Sequence, residues 1–239
     1  MKEKKFDKNR LLTVIAIVYT ILLVLSACAI KIYTGWFSDK TVTTIITVGY
    51  VILFVPLMFA IGKLSVKKMV LSDMVFLALL IAIHVIFSRL LAIQTPITKI
   101  SLSFLPMTLC AMKFGAGHTM IMGGLADIIG AIVFPTGPYF PVFTLTEVVR
   151  GFIFGSLLHK KVTLPKASLA VILSQTICSL AMNSMWMTFI GAEFVPTIIS
   201  RIPQVVIMIP LQIIVIPLFA KSMDRISLKT ALILWLILF

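Results

Sequence analysis

Apolar residues run in long stretches along this chain, interrupted at short intervals by basic or proline-containing segments. The pattern is too continuous for the short alternating segments of a β-barrel. A helix that crosses hydrocarbon needs about 20 apolar residues. Eight stretches read as candidate spans, at about 11–32, 42–62, 72–89, 100–113, 118–134, 143–158, 167–190 and 202–220. The fourth and fifth are short, which predicts helices bent or covered by their neighbours. The fold class is therefore all-α, a polytopic helical membrane protein. An even count of spans puts both termini on the cytoplasmic side.

A polar seam, "KLSVKKMVLSD" (Lys63 to Asp73), divides the pattern. Ser72 and Asp73 there offer acceptors for the exposed backbone N–H groups of a helix start. Residues 1–70 then form an N-terminal two-helix membrane extension, and 71–222 a six-helix core. The tail 223–239, with its run "LKTALILWLILF", is apolar but too short to span and lies along the interface or docks on the bundle.

Composition sharpens this picture. The 239 residues are 60% apolar and 12% charged, whereas soluble domains carry about 25% charged residues. That leaves no room for a soluble catalytic domain. The net charge of +13 would suit a nucleic-acid partner, but the positions of the charges argue against one. Lys2, Lys4, Lys5, Lys8, Arg10, Lys63, Lys67, Lys68, Lys113, Lys160, Lys161, Lys166, Lys221, Arg225 and Lys229 all fall on one side of the proposed topology. This is the asymmetry of cytoplasmic loops, and it implies contact with the lipid bilayer rather than DNA.

The opposite side carries three segments that join core helices: 89–99, 134–142 and 190–201. Each contains proline, which fixes φ and stiffens the chain. Stiff, ring-bearing loops lose little entropy on binding and suit the walls of a pocket.

Several polar residues interrupt the apolar runs. Asp127 lies in "GGLADIIGA", either as a polar clamp between helices packed close through small residues or as a ligand or coupling group. Glu147 and Arg150 are three apart on one helix face, and either pair with each other or reach a ligand from the pocket floor. Arg89 and Arg201 close and open spans at the outer rim. They read as planar forks for an anionic ligand or as side chains snorkelling to headgroups. Asn183 and Trp186 share a helix face, offering a hydrogen-bonding amide and a stacking surface. His84 reads as a buried histidine bonded to a neighbouring helix. Cys28, Cys110 and Cys178 read as packing residues, although "LSAC" (Leu25 to Cys28) has the form of a lipoprotein cleavage site. No metal-binding spacing, nucleophile motif or phosphate-binding loop occurs. The chain is not expected to be an enzyme, to hold a metal or cofactor, or to hydrolyse ATP unaided.

The segments "LLIAIHVIFSRLLAIQTPITKISLSFLPMTL", "GGLADIIGAIVFPTGPYFPVFTLT", "LAMNSMWM" and "RIPQVVIMIPLQ" resemble the folate-specific S component (FolT type) of energy-coupling factor (ECF) transporters. The resemblance covers about 72–222. It implies a substrate-binding protein of a prokaryotic cell membrane that captures folate or reduced folates from outside. Such a protein works with a shared transmembrane T subunit and two cytoplasmic ATPases, and topples in the membrane to release its cargo. Ala78 and Ala82, in "ALLIA", match the family's docking motif for the T subunit. The candidate substrate-binding residues are then Arg89, Gln94, Thr95, Phe134, Pro135, Tyr139, Phe140, Phe143, Thr144, Glu147, Arg150, Asn183, Trp186 and Arg201. Stacking faces would hold the heteroaromatic ring system, guanidinium groups the carboxylates, and Asn183 and Glu147 the pterin edge. The chain departs from the family pattern at Val142, where glycine is usual, and at Glu147 and Arg150, where small or neutral residues are usual. Other readings are an accessory membrane protein, a stand-alone vitamin transporter for another flat aromatic anion, and a small membrane enzyme using Asp127, Glu147 and Arg150.

Overall fold

The computed structural model describes residues 69–94, 99–135, 141–188 and 191–225. The leader spans, Cys28 and the run 228–239 lie outside them. Within the described residues six helices form one bundle. They are α1 (Leu71–Leu90), α2 (Phe104–Phe114), α3 (Ala116–Val133), α4 (Pro141–Leu157), α5 (Leu164–Met187) and α6 (Phe194–Arg225). Between α1 and α2 a two-residue antiparallel ladder pairs β1 (Ile93–Gln94) with β2 (Lys99–Ile100), in register Ile93 to Ile100. Four helices, α1, α3, α5 and α6, are long and apolar enough to cross a membrane.

Burial is arranged for a bilayer. Met107, Cys110, Met122, Phe152, Phe154 and Val171 fill the interior. Large apolar side chains such as Val75, Ile132, Val206, Ile214 and Leu218 point outward. In water such a surface would drive aggregation. Hydrocarbon accepts it. Cys110 and Cys178 are buried free thiols within this packing.

Glycine sets the closest helix contact. A Cβ on Gly123 would stand 2.5 Å from the Glu147 carbonyl oxygen, and those on Gly151 and Gly155 would meet the backbone at Thr119 and Ala116. Three such contacts in one antiparallel register make α3 and α4 a backbone-to-backbone pair. The same register brings Asp127 of α3 opposite Thr144 of α4.

Asp73 works differently from the expected cap. No side chain caps α1. Instead the carboxylate, in the first turn where the helix dipole favours negative charge, pairs with Lys113 at 2.9 Å. The Lys113 ammonium also lies over the Phe76 ring at 4.2 Å, so one cation ties the start of α1 to the end of α2.

The last helix starts earlier than its apolar run. The proline in "AEFVPTIISR" reads as part of a loop, but Pro196 is the third residue of α6. A first-turn proline has no intrahelical partner to lose, so the helix tolerates it. Segment 194–201 is thus helix, and Arg201 stands two turns inside it rather than at its opening. Pro203, Pro210 and Pro217 recur every seventh residue of the same helix.

Helix α5 contains a nine-residue π-helical stretch, Ser174–Met182. The wider turn is rare, and it re-aims the side chains that it carries. Ser179 lies within it.

Candidate functional site

Two polar assemblies tie the helices together. In the first, Arg89 Nη2 of α1 donates to Asp127 Oδ1 of α3 at 3.0 Å, and Thr144 Oγ1 of α4 donates to Asp127 Oδ2 at 2.7 Å. A Cβ on Gly130 would stand 2.9 Å from Arg89 Nε, so glycine there leaves room for the guanidinium. Asp127 therefore joins three helices, as the clamp reading requires. Arg89 is held by it rather than standing alone at the rim.

The second assembly lies along the seam of α4, α5 and α6. Arg150 Nη1 donates to Glu147 Oε1 at 2.6 Å, and Arg150 Nη2 reaches Ser179 Oγ at 3.4 Å. From α6, Arg201 Nη1 reaches the Ser179 carbonyl at 3.4 Å. Two guanidiniums thus converge on one serine. Arg201 is only 8% exposed, and among the described residues no carboxylate lies within ion-pair distance of it. An isolated buried charge is costly, and the Ser179 carbonyl offsets part of that cost.

Trp186 closes the seam one level away. Its Nε1–H donates to Thr146 Oγ1 at 2.9 Å and its ring is buried. This bond fixes the indole plane against α4. Asn183, one turn from Ser179, is half-buried beside it. Glu147 Oε2, Asn183 Oδ1 and Arg201 Nε are among the buried polar atoms with no hydrogen-bond partner in the described residues, as are oxygens of Ser156, Gln175 and Ser184. Buried polar atoms are rarely left so. Glu147, Asn183 and Arg201 stand on α4, α5 and α6 respectively, the three helices that meet at Ser179.

The remaining candidates divide. Phe134 ends α3 half-buried and packs against the core, while Pro135 is exposed beside it. Phe143 is half-buried on the first turns of α4. Gln94 belongs to β1, and Thr95, Tyr139 and Phe140 lie outside the described residues. Ala78 and Ala82 are both exposed on α1, in a stripe with Met74 and Ile86. His84 is buried on the opposite face. Among the described residues no His, Cys, Asp and Glu side chains gather into a group able to hold a metal.

Sequence reasoning missed Ser179 and Thr146. The polar positions Gln175, Ser179 and Asn183 recur every four residues of α5, a stripe that was available to find the first. Thr146 carried no separate signal beside Glu147.

The family model described as "ECF transporter, substrate-specific component" matches residues 72–237. The chain belongs to that family. This S component is 35% identical over 126 residues to the folate transporter FolT of Clostridium novyi (strain NT), a match covering 52% of this chain and 73% of that protein. It is 32% identical over 115 residues to the folate transporter FolT of Leuconostoc mesenteroides, covering 47% and 62%. A FolT chain crystallised with folic acid superposes with a TM-score of 0.61 at 29% identity, covering 66% of this S component and 96% of that chain. The chain is accordingly a multi-pass membrane protein.

Proposed function

We propose that this S component captures folate or a reduced folate in the chamber between α4, α5 and α6. The observation that carries the reading is the set of buried, unpartnered polar atoms on Glu147, Asn183 and Arg201 beside the fixed Trp186 ring. Folate offers what they lack: N–H donors and a carbonyl on a flat ring that stacks, with carboxylates on its tail. The likeness to a FolT chain bound to folic acid supports this ligand. Binding removes the deficit at each atom, so recognition and desolvation reinforce each other.

The S component binds and does not catalyse. Import draws on an ECF T subunit and two cytoplasmic ATPases, with the ligand entering from outside and both termini in the cytoplasm. Ala78 and Ala82 present the flat strip on which a T-subunit helix packs; their exposure beside Met74 and Ile86 supports this. Residues 1–70 form an extension preceding the substrate-binding core 71–222, and 223–239 an apolar tail.

The test is purification of the full chain, followed by absorbance and mass spectrometry of any bound small molecule, with uptake measured in cells with and without the ATPases. The reading expects a pteridine in the purified protein and uptake that needs the ATPases. A chain that neither retains nor binds folic acid contradicts it.

A further inference from the structure

Lys113, at the end of α2, grips the start of α1 in two ways. Its ammonium pairs with Asp73 at 2.9 Å and lies 4.2 Å from the centre of the Phe76 ring. The same ammonium stands 5.0 Å from the centre of the Phe114 ring on its own helix. Phe76 and Phe114 meet edge to face, with their centres 5.9 Å apart. Phe114 rests in turn on the ring of His118 from α3, at 5.7 Å. One cation thus sits in a wedge of two rings, one from each helix, that a third helix supports. Aromatic faces attract a cation, so rings and carboxylate draw the ammonium to the same place.

The grip falls on a particular side of α1. Asp73 and Phe76 stand about 140° and 160° around the helix from Ala78, on its far side. Ala78 and Ala82 are exposed, and Leu71, Met74 and Val75 on the same side are more than half exposed. On that side the described residues do not hold the first turns of α1 in place. The buried Phe76, Leu77 and Leu80 anchor the helix from within. Apolar burial is non-directional and permits small rolls about the helix axis. An ion pair with a ring contact does not.

We infer that Lys113 is a positioning residue for assembly: by holding Asp73 and Phe76 it sets the roll of α1 and so aims the Ala78–Ala82 strip at the T-subunit helix. The inference rests on the docking reading of that strip given above and adds what orients it. Close approach of helices through small residues requires those residues to face the partner. A roll of about 20° carries side-chain tips about 5 Å from the axis through about 2 Å. That is enough to swing Met74 or Val75, which flank the strip, into the gap that the alanines leave. Lys113 acts from behind, without touching the partner. Its side chain and that of Asp73 are 27% and 33% exposed, so the pair adds little to the stability of the bundle. A pair that served stability alone would move ligand binding and assembly together.

The experiment compares the full chain with its Lys113→Met, Asp73→Asn and double variants. Melting temperature and folic acid affinity are measured on the purified S component, and affinity for the purified complex of T subunit and ATPases in detergent. Melting temperature should stay close to wild type, and folic acid affinity within about twofold. Assembly should weaken roughly three- to tenfold in each single variant, the range that a partly exposed ion pair and a cation–π contact supply. The double variant should be no weaker than Lys113→Met, because both changes remove one contact. Lys113→Arg keeps the charge and can stack on the rings, so its assembly should stay within about twofold of wild type. Ala82→Leu is the control for the strip itself. If it loses assembly while Lys113→Met and Asp73→Asn assemble like wild type, the inference is overturned and the docking reading stands. If Ala82→Leu assembles like wild type, the docking reading fails and the inference with it. Additive losses in the double variant, or folic acid affinity falling in step with assembly, also overturn the inference. If Lys113→Met does not fold, Asp73→Asn decides, and if neither folds, the pair is a structural element and the inference falls.

Discussion

Arg89 and Asp127, 38 residues apart in the chain, meet in a 3.0 Å ion pair at which α1, α3 and α4 are fastened together, with Thr144 holding the second carboxylate oxygen. Both side chains are largely buried, at 12% and 16% exposure. Removing one partner leaves the other charge in a poor environment, whereas removing both leaves none. Arg89→Met and Asp127→Asn should each destabilise the bundle by roughly 2–4 kcal/mol, and the double variant by less than their sum. Thermal unfolding of the four proteins in detergent checks this. Additive losses would mean that the two residues act independently.

The α3–α4 contact distinguishes neighbouring glycines. Gly123→Ala places a methyl group against the Glu147 carbonyl, which cannot move without shifting the helix. Gly124→Ala meets only the Val148 side chain, at 3.0 Å, which can rotate. The first substitution should cost about 2 kcal/mol or more and the second about 1 kcal/mol or less. Melting temperatures compared side by side give the order. Because the Gly123 contact lies beside Glu147, that variant should also bind folic acid more weakly.

Trp186 should show two separable contributions. Trp186→Phe keeps a stacking face but loses the bond to Thr146, worth about 1 kcal/mol. Trp186→Ala removes the face as well. Folic acid affinity should fall only several-fold in the first and well beyond tenfold in the second, since loss of base stacking on an aromatic costs roughly 1–3 kcal/mol. Equal losses would remove the stacking role and leave only the hydrogen bond.

Ala78 and Ala82 are exposed on α1, on the side away from the buried His84. Ala78→Leu or Ala82→Leu should leave folic acid binding by the isolated chain unchanged. Co-purification with the T subunit and ATPases, and uptake in cells, should be lost. Loss of binding with assembly intact would reverse the assignment.

The six-helix core was legible because each span must satisfy its backbone internally and cover itself with apolar side chains, so hydropathy alone reveals it. The start of α6 was not, since Pro196 gives the same signal in a loop and in a first helical turn. The π-helical stretch of α5 was hidden for a different reason. It shifts where Ser179 and Asn183 point without altering the composition of the segment. The pairing of Glu147 with Arg150 followed from their spacing of three. Spacing within one helix says nothing about neighbours on another, which is why the meeting of Arg150 and Arg201 at Ser179 and the Arg89–Asp127 bond were visible only in the fold.

The central claim, that the α4–α5–α6 seam is the ligand chamber, is tested most directly by an experimental map of the full chain with folic acid bound. The account predicts one folic acid per chain, its pteridine ring beside Trp186 and its ring edge within hydrogen-bonding distance of Glu147, Asn183 and Arg201. Folic acid seated elsewhere, with those three side chains still facing an empty seam, would contradict it.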